Sequence, residues 1–325
     1  MSDTVRDINV SRADVRLFPL PKVSHPGDTW SLVVDITTEH GTKTIFLRSH
    51  IQVHNHMSVE MEVYYLIDNN LELCGRADPD KLVDLPLSSV FTPSGELYFK
   101  PQDEMYEVSG EAISWRKFDS NQMTSTTLNC ANTSNSYKRF YIEACGELQK
   151  AFFENSNRTN VISQTYTIHL RPPVSFNNML PLSIVVTPPE EEPFTLEGGQ
   201  GRPLYTVCPS VNSFKVEMVD FNGKKWICNF KTVKEPEEMT TRTFLAEDGM
   251  RMEFAVHAIL KNGSLDLTLF CPFWMVNKTG LPIAYREHDA KMTLAKKRGI
   301  CCGACSSPSD GSLANVSMFI YKSKI

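Results

Sequence analysis

The sequence predicts an all-β protein built from tandem antiparallel β-sandwich repeats of about 100–120 residues each. Its composition, with 19 Pro and 10% aromatic residues, is more typical of strands and turns than of helices. Apolar and polar residues alternate with the period of two that a half-buried strand shows, and helical periodicity is scarce. The third observation is internal repetition, because three segments of the chain align on the asparagines Asn55, Asn178 and Asn277.

Each aligned asparagine is predicted to end a strand that has turned a corner. The residues two, four, eight and ten positions before it are apolar, so the strand segments on either side of the corner share one buried face. The corner itself is a small or proline-containing pair: Ser49-His50, Pro172-Pro173 or Cys271-Pro272. An asparagine at such a place can donate to and accept from backbone groups that the broken ladder leaves unpaired. The alternative is that the asparagine contacts a ligand peptide at the surface.

A hairpin is predicted to lead into the corner strands. Residues 30–37 precede a turn at Gly41, and residues 254–260 precede an Asn262-Gly263 turn of the primed hairpin type. Residues 147–154 carry the one short stretch of helical periodicity, which we assign to a loop or a single turn. Three further stretches are polar or rich in proline and are predicted to be loops: 123–138, 188–193 and 231–241.

The repeat spacing predicts the domain limits. The three asparagines lie 123 and 99 residues apart. We therefore place a lead-in with the end of a preceding repeat at 1–43, complete repeats at 44–160 and 161–264, and an incomplete third repeat at 265–325. Because 48 residues follow Asn277, we expect the third sandwich to be unfinished and the chain to be a fragment of a longer protein.

Charge and motif content exclude several function classes. The chain has 33 Lys and Arg against 38 Asp and Glu, a net charge of −5, whereas a nucleic-acid-binding protein shows a basic excess or stripe. The sequence holds no nucleophile elbow, phosphate loop, dinucleotide-binding fingerprint or zinc-protease motif. We therefore predict that the protein is not an enzyme, binds no nucleic acid, and has no catalytic residue and no cofactor.

A cytoplasmic location is predicted because the sequence shows neither a membrane-spanning segment nor a signal peptide. The longest uninterrupted apolar run, residues 269–276, is far shorter than the roughly 20 residues of a membrane-spanning helix, and the first residues do not resemble a signal peptide. The nine cysteines are scattered, as expected for reduced thiols. Six Asn-x-Ser/Thr sequons favour an alternative, a cell-surface adhesion ectodomain, but without export we expect them to stay unmodified.

Two groups of residues have the chemistry of metal ligands. His50, His54 and His56 share parity and would project from one face of a strand, as paired imidazoles do in zinc sites. The same parity is opposite to that of the apolar row at Ile51 and Val53, so the simpler interpretation is a polar strand face. The second group, which we interpret as a thiol-bearing loop, is Cys301, Cys302 and Cys305, with His288 as a conceivable fourth ligand. We predict no metal site from either group.

Three strings carry a family resemblance that runs from about Trp30 to about Lys297. They are IFLRSHIQVHNHM, IHLRPPVSFNNMLPLS and, as the most specific, CPFWMVNKTGLPIAYR. Together they resemble the adaptor-binding region of the vacuolar protein sorting-associated protein 13 family, the large bridge-like lipid transfer proteins. The resemblance implies related β-sandwich repeats that each carry an invariant asparagine, at the positions of Asn55, Asn178 and Asn277 here.

The resemblance also implies a function. Regions of this kind bind membrane-anchored adaptor proteins through short Pro-x-Pro motifs, and so direct the lipid transporter to organelle membranes and contact sites. We therefore expect a cytoplasmic, peripheral module that reaches membranes indirectly, through its adaptors. The chain matches an internal piece of such a region, without the lipid-conducting groove. The alternative is a set of structural spacer repeats in the same kind of protein, with no ligand of their own.

Overall fold

The computed structural model describes residues 8–23, 29–118, 125–153, 161–221, 223–271, 274–277 and 315–318. Strands dominate these residues, and several antiparallel sheets confirm the predicted all-β sandwich class. Among the described residues, no helix has the length and apolar content needed to cross a membrane. Much of the predicted third repeat, including Cys301, Cys302, Cys305 and His288, lies outside them.

The strands up to the second corner form the first group. They are β1 (Val15–Val23), β2 (Thr29–Glu39), β3 (Thr42–Arg48), β4 (Ile51–Asn55), β5 (Met61–Ile67), β6 (Asn70–Ala77), β7 (Leu82–Asp84), β8 (Glu96–Pro101), β9 (Ile113–Ser114), β10 (Ser125–Ala131), β11 (Arg139–Phe153) and β12 (Val161–Arg171). A short helix α1 (Leu87–Val90) and a 3-10 turn (Trp115–Lys117) interrupt them.

The remaining strands form a second group and a terminal pair. They are β13 (Val174–Asn178), β14 (Ile184–Thr187), β15 (Phe194–Leu196), β16 (Gly201–Leu204), β17 (Val211–Phe221), β18 (Lys224–Val233), β19 (Met239–Ala246), β20 (Arg251–Lys261), β21 (Ser264–Phe270), β22 (Trp274–Asn277) and β23 (Asn315–Met318).

Two hydrophobic cores organise the described chain. The first is lined by residues between Ile51 and Leu170, from strands β4, β10, β11 and β12 of the sheet β3-β2-β1-β11-β12-β4-β7, with β10 on β11, and from the sheet β6-β5-β8-β9. Strands β1 and β2 form two smaller clusters of their own, around Val33 and Val34. The second is lined by residues between Val174 and Cys271, from the nine-stranded sheet β15-β14-β17-β18-β19-β20-β21-β13-β16. The predicted domain limits at 43, 160 and 264 stay predictions.

The first two predicted corners are confirmed, and the third lies partly outside the described residues. Strand β3 ends at Arg48 and β4 begins at Ile51, while β12 ends at Arg171 and β13 begins at Val174. In each core the strand that ends at the asparagine pairs in parallel with a later strand, β4 with β12 and β13 with β21. The corner strand β12–β13 therefore contributes β12 to the first core and then opens the second.

The buried face predicted on both sides of the corner is confirmed at the second corner, where Ile168 and Leu170 are 0% exposed. It is wrong at the first, where Ile45 and Leu47 are 45% and 61% exposed because β3 is an edge strand.

The two hairpins predicted from turn chemistry are also confirmed. Strands β2 and β3 pair in antiparallel fashion around His40 and Gly41. Strands β20 and β21 pair up to Lys261↔Ser264, which leaves Asn262 and Gly263 as a two-residue loop with φ of 53° and 83°. Positive φ at both residues is the primed turn that matches the twist of the flanking strands. Residues 188–193 lie between β14 and β15, as predicted.

Three loop predictions are wrong, at least in part. Residues 147–153 belong to β11, because pairing with β12 from Glu143↔Arg171 to Phe153↔Val161 overrides their weak helical propensity. Within 123–138, the polar segment Ser125–Ala131 forms β10, an edge strand that buries Leu128 and Cys130. Within 231–241, β18 continues to Val233 and β19 begins at Met239.

The cysteines in the part of the chain that the structure describes take no part in disulfides. Six thiols are free there, at Cys74, Cys130, Cys145, Cys208, Cys228 and Cys271. Burial raises the pKa of Cys130 to about 12. A thiol with such a pKa stays protonated near neutral pH and is a poor nucleophile. Cys130, Cys228 and Cys271 behave as small apolar residues of the cores.

Tyr205 joins the two cores. Its ring stacks on Phe140 at 4.8 Å, its carbonyl accepts a hydrogen bond from the Tyr141 amide at 2.7 Å, and its hydroxyl accepts one from the Ser58 amide at 2.9 Å. The ring therefore packs against the first core although the residue belongs to the second segment of the chain. Such an anchor fixes the geometry of one repeat relative to the next.

Glu143 lies at the same junction. It is 1% exposed, accepts a short hydrogen bond from the Thr127 hydroxyl, and faces the β20–β21 turn so closely that a Cβ on Gly263 would collide with its Oε2. Burial raises the pKa of this carboxyl from 4.5 to about 7. The junction therefore favours the protonated side chain.

The raised pKa of the Glu143 carboxyl makes the stability of the protein depend on pH. Because the folded pKa lies above the unfolded value, the contribution of Glu143 to stability is complete below pH 4.5 and is lost as the pH rises to about 7. Glu143→Gln is expected to raise the free energy of unfolding at pH 8 by up to about 3 kcal/mol and to change it little at pH 4. Urea denaturation at both pH values measures this. The exposed Glu107→Gln is the control, and equal gains at the two pH values would contradict the prediction.

Candidate functional site

The structure places two of the three predicted asparagines at equivalent buried positions. Asn55 and Asn178 are both 0% exposed. The Asn55 amide Nδ2 donates to the carbonyls of Val59 and Ala77, each at 2.8 Å, and its Oδ1 accepts from the Met57 amide at 2.9 Å. The side chain thus ties the end of β4 to the following loop and to the end of β6, which belongs to the other sheet.

Asn178 repeats this arrangement in the second core. Its Nδ2 donates to the carbonyls of Leu182 at 2.8 Å and Leu196 at 3.0 Å, and its Oδ1 accepts from the Leu180 amide at 3.1 Å. Here the side chain joins β13 to the end of β15, two strands near opposite ends of one nine-stranded sheet. Asn277 ends β22, where it pairs with Asn315 of β23, and its side chain lies outside the described residues.

The geometry at Asn55 and Asn178 favours the structural alternative over the surface one. Each side chain satisfies three backbone groups of the protein itself and presents no area to solvent. A docking partner therefore needs a different surface. Their role in the repeat stays a prediction that mutation can test.

A cleft opens between β18 and β19 in the second sandwich. Within the described residues 223–271, the ladder between these strands registers two residue pairs, Trp226↔Ala246 and Ile227↔Leu245. From Cys228 onward β18 keeps its pairing with β17, while β19 keeps its pairing with β20. The two strands face each other across an open cavity of about 530 Å³. Each wall therefore offers a strand edge along which the ladder has stopped.

The walls of the cleft differ in chemistry. Cys228 and Asn229 line it from β18, and Thr241, Arg242 and Thr243 line it from β19. The Arg242 Nε is buried and has no hydrogen-bond partner within the described chain. A buried donor left unpaired costs about 1–3 kcal/mol, so a carbonyl acceptor brought into the cleft would relieve that cost.

The cleft is a feature of the second sandwich. In the first, the strand that follows β8 and precedes β10 is β9, which has two residues where β18 has ten. A bridge between Tyr106 and Asn132 also ties the segment after β8 to the residue that follows β10. The first sandwich therefore has no wall comparable to β18 among its described residues.

A cluster of three histidines lies on the first sandwich. We define the histidine cluster as His54 on β4, His56 just after β4, and His169 on β12. The ligand nitrogens of these side chains all lie within 4.8 Å of one another. His169 stands opposite His54 in the parallel β4–β12 ladder, and the His56 amide donates to the Leu170 carbonyl at 2.8 Å.

His50, which sequence parity groups with His54 and His56, lies elsewhere. It is buried against Phe91 and Trp115, with ring centroids 4.9 and 4.7 Å away. Parity along one strand does not reveal His169, because the cluster joins His56 to a residue 113 positions later in the sequence. The period-two signal of β12 was available, but nothing local shows that β12 lies beside β4.

Comparison with known proteins gives one family. The family model for the vacuolar-sorting associated protein 13 adaptor binding domain matches residues 2–306. The chain is 25% identical over 297 residues to the intermembrane lipid transfer protein VPS13C of Mus musculus, a match that covers 88% of this chain and 8% of that protein. It is 24% identical over 266 residues to VPS13A of Mus musculus, covering 79% of this chain and 8% of the relative.

A more distant relative matches over a similar length. The intermembrane lipid transfer protein VPS13D of Homo sapiens is 24% identical over 290 residues, which cover 81% of this chain and 6% of that protein. The chain thus spans less than a tenth of the length of each of these curated relatives.

Proposed function

The chain belongs to the family of vacuolar-sorting associated protein 13 adaptor binding domains, and we propose that it is a non-catalytic module that docks adaptor proteins through Pro-x-Pro peptides. The observation that carries the proposal is the cleft between β18 and β19. An extended peptide that enters it would add a strand to an edge whose ladder has stopped. Main-chain hydrogen bonds would supply affinity and the lining side chains specificity.

The chemistry of a Pro-x-Pro strand suits this cleft. In an extended chain the N–H and C=O of one residue point to one edge, and those of the next residue point to the other. Two prolines separated by one residue therefore place their missing N–H groups on the same edge. The intervening residue keeps a donor and an acceptor for pairing with β18, while the proline carbonyls face β19, where the buried Arg242 Nε needs an acceptor.

Thr243→Trp tests the location of the site. Thr243 is exposed and lines the cleft, so an indole there would occupy the path of the added strand without entering the core. We expect the Kd for a fluorescent Pro-x-Pro peptide to rise at least about tenfold, which is ~1.4 kcal/mol. Fluorescence anisotropy on the full chain measures it.

Two controls complete that titration. Thr195→Trp changes an exposed strand threonine on β15, away from the cleft, and should bind as wild type does. A peptide with both prolines replaced by alanine should bind more weakly than its parent. Equal binding of the two peptides would rule out a Pro-x-Pro site. If the Pro-x-Pro peptide binds tightly and needs its prolines, but its Kd is unchanged by Thr243→Trp, the peptide binds outside the cleft.

Docking to adaptor proteins also leads to a proposed location and role for the module. As part of a longer lipid transfer protein, the module would be cytoplasmic and would reach organelle membranes and contact sites through membrane-anchored adaptors. Vesicles that carry a lipid-coupled Pro-x-Pro peptide should therefore sediment the chain, and bare vesicles should not. Sedimentation with bare vesicles would point to direct membrane binding instead.

A second candidate function is that of a structural spacer. It is favoured by the Tyr205 anchor, which fixes the first core against the segment that builds the second. A spacer would set distance and angle within a longer protein and would bind no adaptor. Absence of binding to any Pro-x-Pro peptide, with wild-type folding, is the result that would support it.

A further inference from the structure

We propose that the histidine cluster of His54, His56 and His169 is a binding site for a divalent transition-metal ion of the zinc class. Neutral imidazole nitrogens are the protein ligands that zinc, copper and nickel share. The three side chains come from two neighbouring strands and one loop position, and their ligand nitrogens already lie within 4.8 Å of one another. The site is separate from the β18–β19 cleft.

Hydrogen bonding around His169 selects the tautomer that a metal needs. The His169 Nε2 lies 2.7 Å from the Oε2 of Glu147, so the nitrogen carries the proton and donates it to the carboxylate. The His169 Nδ1 then accepts a hydrogen bond from the His56 Nε2 at 2.8 Å, and a metal would take its place once the His56 proton moves to Nδ1, on the side of Asp80. A carboxylate behind a ligating histidine is the usual supporting arrangement of zinc sites, where it orients the ring and raises its basicity.

The spacing of the nitrogens requires a small adjustment only. Zinc–nitrogen bonds of about 2.0–2.1 Å in a tetrahedral site put the ligand atoms roughly 3.3 Å apart. The His56–His169 contact would open by about half an ångström from 2.8 Å, and the more distant nitrogens would close by up to about 1.5 Å. His54 and His56 are half-buried, so their rings have room to rotate.

Asp80 lies beside two of the three imidazoles. Its Oδ1 lies 3.8 Å from the His54 Nε2 and 3.9 Å from the His56 Nδ1. The charged groups around the cluster are the carboxylates Asp80 and Glu147 and the guanidinium of Arg171. Two negative charges against one positive charge favour a divalent cation. Three imidazoles and a water molecule complete a tetrahedral set.

A bound ion would cross-link the first sandwich. It would join β4 to β12 in the parallel ladder. The experiment that tests this uses the full chain with Cys301, Cys302 and Cys305 replaced by serine, so that those thiols cannot compete. After chelator treatment and dialysis, zinc is titrated by calorimetry, and thermal melts are recorded with and without zinc. We expect one zinc ion per chain and a higher melting temperature with zinc.

His54→Gln and His257→Gln separate the histidine cluster from other imidazoles. His257 lies on β20, beside Glu238 and away from the cluster, so its substitution should leave zinc binding unchanged. His54→Gln should weaken binding at least tenfold and abolish the zinc-dependent rise in melting temperature. His54 is half-buried, and circular dichroism confirms that the variant folds. Failure of the parent chain to bind zinc, or zinc binding that His54→Gln leaves intact, would overturn the proposal.

Cobalt gives a second readout of the same site. Co²⁺ bound by nitrogen and oxygen ligands shows visible d–d bands of a four- or five-coordinate ion without the thiolate-to-cobalt charge-transfer absorption in the near ultraviolet. We expect the first kind of spectrum in the serine-substituted chain and its loss in His54→Gln. A spectrum with thiolate character would assign the ion to one of the remaining cysteines and would contradict the proposal.

Discussion

Asn178→Ala is expected to lower the free energy of unfolding by roughly 3–5 kcal/mol, because it orphans three buried backbone groups at a cost of about 1–3 kcal/mol each, partly offset by relaxation. The groups are the carbonyls of Leu182 and Leu196 and the amide of Leu180. Asn178 is fully buried, so water cannot replace the lost partners without local opening. Urea denaturation, with hydrogen exchange of residues 174–271, measures the change and its location.

Asn178→Asp separates hydrogen bonding from side-chain volume. The aspartate can still accept from Leu180, but its carboxylate cannot donate to the two carbonyls and instead faces their oxygens inside the core. An uncompensated buried charge costs about 3–5 kcal/mol, so Asp should be at least as harmful as Ala despite its closer shape.

The neighbouring Asn177→Ala is the matched control for Asn178. Its amide donates to side chains, Asp266 at 2.5 Å and Thr268 at 3.5 Å, rather than to buried backbone. Those partners can turn to water, so we expect a loss of about 1 kcal/mol or less. Equal losses for the two alanine variants would contradict the structural role of the repeated asparagine and would reopen a direct role in adaptor binding.

Phe230→Ala is the second large effect, with an expected loss of about 3–5 kcal/mol. Phe230 is 1% exposed, its ring stacks on Phe214 at 5.3 Å, and it meets Phe176 edge-on at 5.2 Å. Truncation therefore removes both buried area and aromatic contacts that cross the core between β13 and the β17–β18 pair. Phe230→Leu, which keeps most of the volume, should cost about half as much. Urea denaturation followed by intrinsic fluorescence reports the change.

Phe46→Ala is the control for the same chemical change. Phe46 lies on the edge strand β3 with 51% of its surface exposed, beside the equally accessible Ile45 and Leu47. Its truncation is expected to change stability by less than about 0.5 kcal/mol. A loss at Phe230 no larger than that at Phe46 would mean that the second core is not packed as described.

Phe230→Ala also connects stability to the proposed docking function. Phe230 lies on β18, one wall of the cleft, so a loosened core should disturb the strand edge that an adaptor peptide would use. Thr243→Trp blocks the cleft without touching the core. Loss of peptide binding in Thr243→Trp at unchanged stability is therefore the cleaner evidence for the site.

The corners, the hairpins and the positions of the repeated asparagines were accessible from the sequence because each has a local signal. Alternation with period two locates a strand face, and the Asn262-Gly263 pair requires positive φ, which few other dipeptides tolerate. The errors arose where pairing partners decided the structure. Residues 147–153 form a strand because β12 lies beside them, and polar residues 125–131 form one because an edge strand needs few apolar side chains.

Both proposed sites depend on distances that no local pattern encodes. The histidine cluster joins His56 to His169, 113 residues away, through the parallel pairing of β4 and β12. The cleft exists because the β18–β19 ladder stops after Ile227↔Leu245, and each of those strands is an ordinary strand in sequence.

The sequence by itself determined the all-β class, the repeat unit, the corner strands and the family, since these depend on period, turn chemistry and repeated motifs within one segment. Tertiary structure alone decided which repeat carries an open strand edge, which histidines meet, and that Asn55 and Asn178 are fully buried. The physical reason is that strands gain stability from partners brought together by folding. The same alternating pattern can therefore end in a closed ladder, a cleft or a cluster of ligands.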